Sequence, residues 1–139
     1  MQGQIGLTRT QKPSTGAHIA SDKESSVTVA ASTLDTFFDW VTKADRPLLK
    51  LDLQGYELHA LRGGPVFLRS VETILTEVSF YAQAYEPSIA AIVSFLNDSG
   101  FQLYDIASLA GRTRDNRLHQ GDFVFVRAGS QLLQDGRWE

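Results

Sequence analysis

Residues 48–64 read LLKLDLQGYELHALRGG. Leu48, Leu49 and Leu51 make a short apolar run that only Lys50 interrupts, and Asp52 ends it. So dense an apolar run suggests a strand buried on both faces, as in a parallel sheet. From Tyr56 the spacing becomes helical, through Leu58, Ala60 and Leu61, and Gly63 and Gly64 stop it. Between strand and helix stand two carboxylates, Asp52 and Glu57, and one glycine, Gly55. Open α/β sheets bind ligands outside the carboxyl ends of their strands, so this corner is the candidate site.

Working outward, SVTVAAS (26–32) reads as a short strand on Val27 and Val29. STLDTFFDWVTKADRP (32–47) carries a helix start, with Ser32 or Thr33 as cap, then Asp35, and Leu34, Phe37, Phe38 and Val41 on one face. After the corner, VETILTEVSF (71–80) is a strand. EPSIAAIVSFLNDSGF (86–101) is an amphipathic helix, with Pro87 near its start, a stripe of Ile89, Ile92, Val93 and Leu96, and Gly100 at its end. FQLYDI (101–106) is a strand of mixed faces, GRTRDNRLHQG (111–121) a polar connection, and DFVFVRA (122–128) a strand with four consecutive apolar residues. Strands alternating with helices mean an α/β fold. The last two strands have no helix between them, so they pair antiparallel, and the more apolar final strand is expected to insert inside the sheet.

The domain division expected is a polar flexible arm over 1–26, the folded unit over 27–128 and a tail over 129–139. The chain has 139 residues and a net charge of −3. That charge argues against binding driven by phosphate neutralisation, so nucleic acid is not expected as a partner. With no cysteine, disulfides, thiolate zinc sites and cysteine nucleophiles are excluded. No apolar run reaches the roughly 20 residues that span a bilayer. The polar start, MQGQIGLTRTQKPSTG, lacks the apolar stretch of a signal peptide, and a cytoplasmic protein without membrane contact is expected. His18, His59 and His119 lie on different elements without ligand spacing, so no metal site is expected.

The stretch 48–64, followed by VETILTEVSF, GFQLYDI and GDFVFVRA, resembles the C-terminal half of the FkbM family of S-adenosylmethionine-dependent methyltransferases. That family shows a Lys–x–Asp–x–x–Gly–x–Glu motif with a downstream Leu–x–Gly, matched here by Lys50, Asp52, Gly55, Glu57, Leu61 and Gly63. STLDTFF (32–38) looks like the family's Leu-Asp segment, and the resemblance covers residues 27–127. Gln54 stands where many relatives carry Glu. The resemblance implies a class I methyltransferase sheet, Rossmann-like, of order 3-2-1-4-5-7-6. Leu48–Asp52, Thr73–Phe80, Phe101–Ile106 and Asp122–Val126 would be its fourth, fifth, sixth and seventh strands. In that fold a Gly-rich turn after the first strand approaches the cofactor. Nothing before Ser26 reads as strand, Gly-rich turn and helix, and GQIG (3–6) has no apolar strand ahead of it. The chain is therefore expected to hold strands 4-5-7-6 of a truncated methyltransferase, without the first three.

The activity implied is methyl transfer from S-adenosylmethionine to a hydroxyl of a sugar or secondary metabolite. The partners implied are a small-molecule or glycan acceptor. The rival readings are a non-catalytic, self-associating or partner-binding fragment, and one half of a split enzyme. Leu48–Asp52 would be an exposed edge, covered by the polar arm, paired with a second copy in a homodimer, or left to aggregate.

Asp52 and Glu57 are the candidate catalytic groups; Asp52, Gln54 and Gly55 are the candidate cofactor contacts; Lys50, Glu77, Tyr81 and Tyr85 are the candidate acceptor contacts. Each has a structural alternative. Asp52 or Gln54 can cap the next turn, and Glu57 suits the first turn of a helix. Gly55 permits a tight corner. Lys50 can pair with Glu77, and the tyrosines can pack as loop residues. Arg112, Arg114 and Arg117 form a small basic loop, either solvated or placed to capture an acidic acceptor such as a phosphorylated or uronic sugar.

Overall fold

The computed structural model of the chain describes residues 2–7, 27–81 and 87–136. The elements in order are β1 (Gln2–Leu7), β2 (Val27–Ser32), a 3-10 turn (Leu34–Phe37) running into α1 (Phe38–Val41), and β3 (Leu48–Leu51). Then come α2 (Glu57–Arg62), a 3-10 turn (Phe67–Ser70), β4 (Thr73–Ser79), α3 (Ile89–Asp98), β5 (Phe101–Gly111), β6 (Leu118–Arg127) and a closing 3-10 turn (Gln131–Leu133). The fold is mixed α/β, and its main sheet has four strands in the order β3-β4-β6-β5. β3 and β4 run parallel, while β6 is antiparallel to both β4 and β5.

The final strand lies inside the sheet, as its apolar run requires. Phe123, Phe125 and Val126 are each at most 2 % exposed. One face of the sheet, carrying Leu51, Ile74, Val78, Phe101, Phe123 and Phe125, is covered by Leu58 and Leu61 of α2 and Ile92 and Leu96 of α3. Burying each of these large side chains contributes on the order of 1.5–3 kcal/mol. On α3 the buried pair is Ile92 and Leu96, one helical turn apart, and Ser88 caps the start by accepting from the Ala91 N–H. The other face stays open around β3: Leu48 is 61 % exposed. The expectation that Leu48–Asp52 is buried on both faces is therefore corrected. Among the described residues β3 is an edge strand covered on one side, the exposed edge that the family resemblance implies.

Three further expectations change. The sequence reads residues 1–26 as an arm, but Gln2–Leu7 is a strand that pairs antiparallel with β2, Ile5 opposite Val29. It is short and glycine-rich, so its side chains carry little periodicity, and backbone pairing makes the strand. Gln2–Leu7 therefore pairs with β2 and not with the edge of β3. The helix expected over 32–47 is one 3-10 turn and one α-turn. The strands read as Phe101–Ile106 and Asp122–Val126 run on to Gly111 and start at Leu118, so the polar connection shrinks to a hairpin turn at 112–117. Register shifts between Leu103 and Asp105, and between Ile106 and Ser108, break the alternation that would have revealed the longer strand.

The Leu-Asp segment has a structural explanation. Asp35 does not cap its own turn. Its Oδ1 accepts from the N–H groups of Val66 (3.0 Å) and Phe67 (2.8 Å), at the start of the distant 3-10 turn. The Asp35 N–H donates to the Gly63 carbonyl (3.4 Å). At Gly64 an added Cβ would lie 2.7 Å from the Cβ of Leu34, so only glycine lets the two chains approach this closely. The Leu-Asp segment and the double glycine that ends α2 are two halves of one joint. It anchors the helix that follows the candidate corner.

Candidate functional site

The corner after β3 turns through two residues of positive φ, Gln54 (53°) and Gly55 (96°). The left-handed region disfavours a Cβ, which explains a glycine at the second position. The turn exposes backbone N–H groups that the strand no longer satisfies. Glu57 takes two of them: its Oε1 accepts from Leu53 N–H (2.7 Å) and Gly55 N–H (3.4 Å). Glu57 is 2 % exposed, so this is a buried carboxylate held by the backbone of the corner it follows. Neither Asp52 nor Gln54 caps α2, whose start has no side-chain cap bond; the N–H groups of the corner before it go to Glu57. Asp52 instead faces solvent, with half of its side chain exposed, and accepts from Gln54 Nε2 (3.0 Å).

Lys50 lies 3.9 Å from Asp52, just past the end of its own strand, so the alternative in which it pairs with Glu77 is not the one formed. The register sets Lys50 beside Leu75, two residues short of Glu77. Glu77 receives a hydrogen bond from Gln120 Nε2 (2.5 Å), across the β4–β6 ladder.

At the carboxyl ends of the parallel pair lies a small cleft, with room for about one water molecule, lined by Gly55, Glu57, Glu77, Val78, Ser79, Pro87 and Ile92. Three residues singled out from the sequence (Gly55, Glu57 and Glu77) therefore line one space. Asp52, Gln54 and Lys50 stand on the corner outside that lining. With Oε1 of Glu57 committed to backbone, Oε2 is the oxygen left to accept from a ligand in the cleft. Such walls suit donors, namely hydroxyls or amines.

Tyr81 lies just past β4. Its ring meets His119 edge-on (5.2 Å) and lies under the Arg117 guanidinium (5.0 Å). Tyr85 and His18 fall outside the described residues. Ser79, Pro87 and Gln120 are the contributors that the sequence reading missed. Gln120 reaches Glu77 because the antiparallel ladder sets Ser79 opposite it, and only a strand pairing could have signalled that. On the hairpin turn, the Arg112 guanidinium grips both oxygens of Asp115, which also accepts from the Arg117 N–H (3.1 Å). These bonds, Arg112's first, hold the Asp115 carboxyl below the usual carboxylate range.

Among the described residues, no helix is long and apolar enough to cross a membrane. Comparison with curated proteins and with solved structures returned no match. A family model, the methyltransferase FkbM domain, matches residues 5–103, from β1 into β5. That span contains the joint, the corner and all the cleft residues, and the chain belongs to the FkbM family of methyltransferases.

Proposed function

We propose that this chain carries the acceptor side of an S-adenosylmethionine-dependent methyltransferase that acts on a hydroxyl of a sugar or secondary metabolite. The observation that carries the reading is the cleft. In a chain of this family, it opens at the carboxyl ends of two parallel strands, with a buried carboxylate in its wall. The strand order β3-β4-β6-β5 supports assigning these strands as the fourth, fifth, seventh and sixth of a class I sheet. The remaining strands would then pair along the open edge of β3.

The residues at the corner fit the cofactor's neighbourhood. Asp52 offers an exposed carboxylate, Gln54 a side-chain amide, and Gly55, at φ 96°, a backbone without a Cβ to block approach. S-adenosylmethionine supplies a methyl group on a sulfonium, and transfer by in-line displacement makes alignment of the acceptor the main task of the protein. In this reading Asp52 orients the acceptor hydroxyl or takes its proton, and Glu57 holds a second donor group from within the cleft.

Calorimetric titration of the folded chain with S-adenosylhomocysteine tests the reading. Nothing before Ser26 reads as the Gly-rich turn, so binding weaker than micromolar is expected of the chain alone, and saturable micromolar binding would show that the chain holds a complete cofactor site. No heat from a chain shown to be folded overturns cofactor binding by this chain.

A second reading, association through β3, is favoured by the same edge. β3 pairs only with β4 among the described residues. An antiparallel two-fold centred on Leu51 would set Lys50 opposite the partner's Asp52 on both sides, a self-complementary arrangement. Sedimentation of wild type against Lys50→Asp checks it: a wild-type dimer that the variant dissolves supports the pairing, and a wild-type monomer refutes it.

A further inference from the structure

The hairpin turn between β5 and β6 is a basic spot on an acidic chain. Residues 112–117 carry Arg112, Arg114 and Arg117 against Asp115 alone, while the whole chain has a net charge of −3. Asp115 is occupied by Arg112, and Arg114 reaches it only at 3.9 Å with its own side chain 79 % exposed. Arg117 has no carboxylate on its guanidinium among the described residues; it lies over Tyr81 instead, 5.0 Å from the ring centroid. A guanidinium held by an aromatic face keeps its donor fork free at the edge.

This spot is joined to the cleft by a continuous row of side chains. Glu77, in the cleft wall, accepts from Gln120 Nε2; Gln120 Oε1 lies 3.1 Å from His119 Nδ1. His119 meets Tyr81 at 5.2 Å, and Tyr81 lies under Arg117. The carboxyl end of β4 connects the two ends of the row, because Ser79 pairs with Gln120 and the Phe80 N–H donates to the His119 carbonyl (2.9 Å). One end of the row carries carboxylate acceptors, and the other guanidinium donors.

From this we propose that Arg117, with Arg114 beside it, is an anion subsite that selects a hydroxyl-bearing acceptor carrying a phosphate or a carboxylate, such as a sugar phosphate or a uronic acid. The proposal rests on the methyltransferase reading for the word acceptor, but its binding test does not. An arginine fork matches either anion with paired, charge-assisted bonds, while the carboxylates at the cleft end would repel that group and fix the ligand's direction.

The test is an NMR titration of the whole ¹⁵N-labelled chain, at low salt, with glucose 6-phosphate, glucuronate and glucose. Saturable shifts at Tyr81, Arg117 and Glu77 are expected with at least one of the anionic sugars. Glucose should bind about tenfold more weakly or not at all, the equivalent of losing one charge-assisted bond. Whichever anionic sugar binds more tightly identifies phosphate or carboxylate as the group selected. Arg117→Gln should weaken the anionic sugar by about tenfold, and Arg117→Lys by less, since it keeps the charge and loses the fork. Equal affinity for glucose, an unchanged affinity in Arg117→Gln, or no saturable shift in the folded wild-type chain overturns the proposal. Binding of S-adenosylhomocysteine is read in a separate titration, and its outcome bears on the cofactor part of the methyltransferase reading alone.

Discussion

Replacing Glu57 separates the fold of the candidate corner from its chemistry. The Leu53 N–H bond to Oε1, at 2.7 Å, is short and charge-assisted, the kind worth about 1.5–3 kcal/mol. The Gly55 bond, at 3.4 Å, is weak, but Gly55 is buried, so its N–H has no water to turn to when the carboxylate is gone. Glu57→Ala should therefore cost about 2–4 kcal/mol. For a chain of 139 residues that corresponds to a fall in the thermal midpoint of roughly 10 °C. Glu57→Gln keeps an oxygen where Oε1 stands and loses only the charge, so a cost of about 1 kcal/mol is expected. Urea unfolding followed by circular dichroism, with the slope compared across the three proteins, measures both values. An alanine variant within about 0.5 kcal/mol of wild type would refute the reasoning, because the buried carboxylate would then not be holding the turn. The glutamine variant, folded but with an amide in the cleft wall, is also the right protein in which to ask whether the charge of Glu57 matters to ligand binding.

Two other measurements follow from the packing and the ion pairs. Gly64→Ala should cost about 1–3 kcal/mol in the same assay, since the new Cβ would have to displace Leu34 from 2.7 Å; a neutral result would show that the joint tolerates a shift. Glu72 accepts from Arg46 Nε (2.8 Å) and from Ser130 Oγ (2.6 Å), and these bonds hold its carboxyl below the ordinary glutamate range. A depressed folded value stabilises the protein above the ordinary glutamate range, and the contribution is lost as pH falls through the folded value. Glu72→Gln should therefore be less stable than wild type at pH 7, with the gap closing on acidification. A gap that stays constant down to about pH 2 contradicts the linkage.

Much of the sheet was legible because its strands carry distinct signatures. The apolar run Phe123–Val126 reads as an inner strand, and it is buried between β4 and β5. The corner was legible too, since the change from strand to helix spacing is abrupt and the carboxylates flank a glycine. What could not be read was who bonds to whom. Asp52, Gln54 and Glu57 are all sensible caps on paper; the positive φ at Gln54 and Gly55 folds the chain back so that only Glu57 lies under the free N–H groups. Lys50 and Glu77 are both plausible partners by sign, but the parallel register sets them two residues apart. Gln2–Leu7 was hidden because a glycine-rich strand draws its stability from backbone pairing that leaves no side-chain period.

The sequence by itself determined the α/β class, the family-like motif and the place of the candidate corner. These depend on hydrophobic period and on residues close together in the chain. Only the tertiary structure decided that Asp35 caps a turn thirty-one residues away, that Gln120 bridges to Glu77, and that Arg117 lies over Tyr81. Those contacts are set by strand register and by the close approach at Gly64, and neither quantity leaves a local trace in the order of the residues.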